Sequence, residues 1–240
     1  MKSAETGHAK NIANFESLIN FCVGYGSAYK PARTTLSIDN LKARLDASKA
    51  AFTETITKET HYRNAARTRL NAFKDFKKLS TRIVNALAAS GSGPHIIDAA
   101  RTLNRKVQGS RATQKPEITD ERSATRTISS SQQGFTTRLE HFQGLIDLIA
   151  TQPEYTPNEE ELKVPALKSL IANLSAANNR VSEALVVWSN ARLVRTKILY
   201  EEEDGLANLA LDVKKYLKSV FGAVSLEYKQ VQGIIFRKKF

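Results

Sequence analysis

Two stretches of this chain carry the same residues in the same order, about 126 positions apart, and that doubling constrains the fold more than any other feature. Phe15-Glu-Ser-Leu18-Ile19 returns as Phe142-Gln-Gly-Leu145-Ile146, and Tyr29-Lys30-Pro31 returns as Tyr155-Thr156-Pro157. Leu36, Ile38, Leu41, Lys42 and Leu45 match Leu162, Val164, Leu167, Lys168 and Ile171. Asn64-Ala65 and Arg69 match Asn190-Ala191 and Arg195, and Val107-Gln108-Gly109 matches Val231-Gln232-Gly233. Any one pair is within reach of chance; all of them in order, at a nearly constant offset, are not. The chain reads as a duplicated unit of short helix, Tyr-x-Pro turn, long helix and shorter final helix. Residues 1–109 form copy one and 142–240 copy two. Residues 110–141 are a Ser/Thr-rich linker: nine of the nineteen residues from Thr119 to Thr137 are Ser or Thr.

Glycine and proline are absent between Pro31 and Gly91, and again between Pro165 and Gly205. Both stretches are too long for strands, and apolar residues recur in them at four-then-three spacing. Leu167, Ile171, Leu174, Val181, Leu185, Trp188 and Leu199 mark the second, with Asn178, Arg192 and Arg195 as polar entries; Leu41, Leu45, Phe52, Tyr62, Ala66, Leu70 and Phe73 mark the first. Ser37 is placed to cap the first long helix, and Pro165 fits the first turn of the second. Ser90-Gly91-Ser92-Gly93-Pro94 reads as a helix stop and turn. The expected fold class is all-α, an elongated helical bundle built from two duplicated helical units with long helices. The pattern leaves open a turn near residues 57–61.

The chain carries 36 basic and 24 acidic residues, a formal charge of +12. Cut after Arg126, the halves carry +11 and +1, a bias that points to a localised surface for polyanions. Catalysis finds no support. Gly24-Tyr25-Gly26 lacks the third glycine and the Lys-Ser/Thr ending of a phosphate loop, and no Gly-x-Ser-x-Gly elbow occurs. His8, His61, His95 and His141 are far apart, and Glu5-Thr6-Gly7-His8 is a single Glu-x-x-His. The only cysteine, Cys22, sits among Leu18 and Ile19 as a structural thiol. No catalytic residue, metal ligand or cofactor is assigned. Without a membrane span or an apolar leader, a cytoplasmic protein is expected.

One constellation remains. On a continuous helix at about 100° per residue, Arg63, Arg67, Lys74, Lys77 and Lys78 share a sector roughly 100° wide, opposite Phe73, Phe76, Leu79, Ile83 and Leu87. Such a ridge, roughly 22 Å long, can follow a phosphate backbone. Arg101, Arg105, Lys106 and Arg111 follow it, and Arg237, Lys238 and Lys239 end the chain. In copy two the ridge positions become Ser189, Leu193, Tyr200, Glu203 and Asp204. Two expectations follow. Copy one contacts nucleic acid or a ribonucleoprotein, non-enzymatically and with weak sequence preference. Alternatively, the basic first copy meets Glu201, Glu202, Glu203 and Asp204 of the second, within one chain or head-to-tail between chains as a self-assembling structural protein.

The run Tyr155-Thr-Pro-Asn-Glu-Glu-Glu-Leu162, with Ala191-Arg192, Leu199-Tyr200 and Val213 to Gly222, resembles a family of uncharacterised helical proteins from Bacteroidota. The likeness extends to Ala65–Asn85. It implies a bacterial, cytoplasmic, all-helical protein and supplies no site residue.

Overall fold

A computed structural model describes residues 7–109, 134–201 and 203–237. Among them every regular element is helical. The α-helices are α1 (His8–Gly24), α2 (Ile38–Ala72), α3 (Phe76–Ala89), α4 (Pro94–Gln108), α5 (Phe135–Ala150), α6 (Val164–Thr196), α7 (Leu206–Phe221) and α8 (Leu226–Gln232). The protein is an all-α helical bundle. Residues 135–141, expected in the linker, open α5, while 110–133 lie outside the described residues.

The repeat is visible bond by bond. Tyr29 donates its hydroxyl proton to the Leu36 carbonyl at 2.7 Å, and Tyr155 donates to Leu162 at 2.9 Å. Both tyrosines are buried, so each polar tip needs that acceptor. A single 3₁₀ turn follows in each copy, Thr34–Leu36 and Glu160–Leu162. The long helices then start at Ile38 and Val164. Ser37 caps the first, accepting from the Asn40 amide at 3.4 Å, and Pro165 stands in the first turn of the second. With no glycine or proline to stop them, α2 runs 35 residues and α6 33. Residues 57–61 continue the helix. The chain breaks instead at Phe73–Asp75, with neither Gly nor Pro there. Past that turn Phe73 and Phe76 pack on α5, their rings 4.9 Å from Phe135 and 4.6 Å from Phe142.

The compact units do not follow the repeats. Unit 1 comprises Met1–Tyr62 and Ala184–Phe240, and unit 2 comprises Arg63–Glu183. Each takes helices from both copies. In unit 1, α1 and the start of α2 from copy one enclose a core with α7 and α8 from copy two: Phe15, Leu18, Ile19, Leu41, Leu209, Val213, Leu217 and Val231. Also within unit 1, α2 and α6 run antiparallel: the Thr55 hydroxyl lies 3.3 Å from the Ala191 carbonyl, and Tyr62 stacks on Trp188 at 5.2 Å. In unit 2, α3 and α4 from copy one enclose a core with α5 and the start of α6 from copy two: Phe76, Ile83, Leu87, Val107, Phe142, Leu145, Ile146 and Leu167. Counterparts fill the same places, Phe15 for Phe142, Leu41 for Leu167 and Val231 for Val107. Cys22 stands where unit 2 has Ile149, and both are buried. The thiol is thus a small core hydrophobe, and burial lifts its pKa to about 12.

Candidate polyanion interface

The single-helix ridge does not form. Arg63 and Arg67 lie on α2, Lys74 lies in the turn, and Lys77 and Lys78 open α3. The break at Phe73–Asp75 removes the continuous phase that placed the five cations in one sector. All five belong to unit 2.

What the fold does instead is bring the start of α3 to the end of α4. Lys77 Nζ donates to the Gln108 carbonyl at 2.8 Å, and Gln108 Nε2 donates to the Lys77 carbonyl at 2.7 Å. Ser80, fully buried, donates to Asn104 Oδ1 at 2.7 Å and closes the clasp. Lys77 is thereby a structural cation. Unit 1 makes a related bond: Lys214 of α7 donates to the carbonyl of Gln232, the counterpart of Gln108, at 2.9 Å.

The clasp joins the first turn of α3, next to exposed Lys74 and Lys78, to the last turn of α4, which carries exposed Arg105 and Lys106. Arg105 donates to Thr102 at 2.9 Å, and Lys106 lies close enough to His141 of α5 to help burial depress its pKa. Arg101 pairs with Asp98 at 3.1 Å, and Lys78 lies 3.6 Å from Asp75. Cations at the end of α4 suit the helix dipole. Lysines in the first turn of α3 oppose it, and the acidic residue that offsets them is Asp75 at the N-cap position. An open groove of about 410 Å³ beside Lys78 is lined by Asp75, Arg82 and Glu161 as well, so its charge is mixed. Arg111 lies outside the described residues, as do Glu202, Lys238 and Lys239.

The charge bias between sequence halves does not survive folding as a bias between units. Among the described residues unit 1 holds 15 basic and 10 acidic side chains, and unit 2 holds 14 and 9, a net +5 in each. The bias instead reappears as complementarity inside each unit. In unit 1, Arg33 of copy one bridges Asp204 at 2.9 Å and Asp212 at 2.8 Å in copy two. In unit 2, Arg82 of copy one pairs with Glu161 of copy two. Glu201 and Glu203 stay exposed.

A second polar cluster, in unit 1, went unmarked in the sequence. Tyr200, in a π-turn over Lys197–Glu201, places its hydroxyl 2.8 Å from His8 Nδ1 and accepts from Asn11 Nδ2 at 3.1 Å. Burial first, then the charges of Arg195 and Arg192, push the His8 pKa down to about 4. The signals were an Arg192/Arg195 pair interrupting an apolar period and one histidine at the head of α1. Residues 192 positions apart gave no local pattern to join them.

Among the described residues no group of three or more His, Cys, Asp or Glu is arranged to hold a metal ion, and no helix is long and apolar enough to cross a membrane. Comparison with family models, curated proteins and solved structures gives no match.

Proposed function

We propose that the chain is a non-enzymatic helical binding protein that contacts a polyanion, nucleic acid or ribonucleoprotein, with the α3–α4 side of unit 2. One observation carries this reading. Lys77 and Lys78 occupy the first turn of α3, where carboxylates are the stabilising choice, and the Lys77–Gln108 clasp ties that turn to the last turn of α4, which carries Arg105 and Lys106. A site that breaks a local rule of helix charge is where function is sought. The contacts would be to phosphates, with little base readout. The bacterial, cytoplasmic setting that the family resemblance implies belongs to the same proposal.

The test is fluorescence anisotropy of a labelled mixed-sequence oligonucleotide across a salt series. Affinity should fall steeply with salt. Lys74→Glu, Lys78→Glu, Arg105→Glu and Lys106→Glu together should abolish binding, and single changes should each lower the salt slope by about 0.7–0.9. Lys77 is left in place because it holds the clasp. A flat salt response, or unchanged binding by the fourfold variant, overturns the reading.

A second reading, self-association, is favoured by α6, which exposes Val186 (59%), Val187 (46%), Leu193 (66%) and Val194 (54%) on neighbouring turns. Their counterparts in α2 are Thr60, His61, Arg67 and Thr68. Light scattering across a concentration series tests it: a constant monomer mass removes it.

A further inference from the structure

We propose that unit 1 binds a phosphate group against Arg192 and Arg195, in the corner formed by His8, Tyr200 and Trp188. Trp188, Arg192 and Arg195 follow at i, i+4 and i+7 on α6 and so share a face. The Arg192 guanidinium lies 5.2 Å from the centre of the Trp188 ring, which is backed by Tyr62. Neither arginine has a carboxylate or hydrogen-bond partner among the described residues. Arg195 Nε and Trp188 Nε1 are buried donors with no acceptor. Two like charges three residues apart, together with unused buried donors, are costly to maintain. An oxyanion answers both costs at once, supplying charge and several acceptor oxygens. Two guanidinium groups beside a neutral imidazole suit a multiply charged anion, which selects phosphate over a single carboxylate.

The surroundings are held in place. Asn11 Nδ2 donates to the Arg237 carbonyl at 2.6 Å as well as to Tyr200, and the Arg237 amide donates to Asn11 Oδ1 at 3.2 Å. Asn11 thus anchors the Tyr200 hydroxyl, which in turn bonds His8. Unit 2 shows the same corner without the site. Arg69, the counterpart of Arg195, lies 4.1 Å from the centre of the Phe135 ring. Phe135 holds the place of His8 at the offset of 127 that relates α1 to α5, and Ala66 stands in place of Arg192. Unit 2 sets the Phe135 ring against both Arg69 and Arg138, the latter at 5.0 Å, with their Nε donors also unpaired; unit 1 has imidazole in place of that ring and Arg192 one turn before Arg195. The site shares no residue with the α3–α4 surface, so either proposal can fail alone.

Trp188 is the only tryptophan in the sequence, so its emission reports this corner alone. Inorganic phosphate, pyrophosphate and citrate are titrated into the full chain, with Trp188 fluorescence and the His8 imidazole NMR signal as readouts. Phosphate or pyrophosphate should give a saturable change in Trp188 emission and move the His8 titration midpoint upward. Arg195→Met and Arg192→Met should each weaken binding at least about tenfold with unchanged circular dichroism, while Arg69→Met leaves it intact. No saturable response at millimolar phosphate or pyrophosphate, a response to citrate alone, or undiminished binding in both Met variants overturns the proposal.

Discussion

In unit 2 an arginine rests on a phenylalanine ring; in unit 1 its repeat counterpart sits near a histidine held neutral by burial and by two guanidinium groups. The scaffold around the two corners is otherwise the same. Each has a buried tyrosine bonded seven residues ahead, a long helix beginning at the same offset, and a core in which Phe15 answers Phe142 and Val231 answers Val107. The comparison separates what the fold requires from what it tolerates. Positions retained in both units are packing and turn closure. Positions that differ, such as His8 against Phe135 or Arg192 against Ala66, are free to serve a ligand.

The comparison is broken most severely in the cores. Phe15→Ala and Phe142→Ala should each cost about 3–5 kcal/mol by urea unfolding, because each empties a fully buried aromatic position. A large loss in one unit with little in the other would mean that the counterparts do not do equivalent work. Next come the turn tyrosines. Tyr29→Phe and Tyr155→Phe each leave a buried carbonyl unpaired and should cost about 1–2 kcal/mol.

The His8 corner predicts a pH dependence. The folded pKa lies near 4, below the ordinary 6.5, so as pH falls the unfolded chain takes up the proton first. Stability present above pH 6.5 is therefore lost progressively as pH falls towards 4. His8→Phe, which gives unit 1 the residue of unit 2, should flatten that fall in denaturation profiles. A residual slope should remain from His141, which burial also holds below its usual range. The smallest effect belongs to the exposed ion pairs. Exchanging Arg82 and Glu161 should change stability by no more than about 1 kcal/mol.

Helix identity was legible in the sequence because apolar period and the absence of Gly and Pro act locally. The repeat was legible because Tyr29, Leu36 and Leu41 each perform the same task as Tyr155, Leu162 and Leu167. Which copy a helix packs against was not. A helix such as α1 shows its apolar face equally to α3 or to α7, and only tertiary contact decides between them. That choice also redistributed the charge: the basic first half and the nearly neutral second half are interleaved in each unit. The ridge from Arg63 to Lys78 was misplaced for a related reason. The long helix ends at Ala72 and α3 starts after Asp75 without a glycine or proline to announce it, and the rest of the pattern continues through the break.

The central claim is that each compact unit is built from both copies, and ring-proton NOEs in the full chain test it directly. Tyr29 and Tyr216 should show them, with centroids 5.3 Å apart in unit 1, and so should Phe76 and Phe142 at 4.6 Å in unit 2. Each pair joins copy one to copy two. Absence of both, with α1 aromatics instead showing NOEs to α3, would contradict the account.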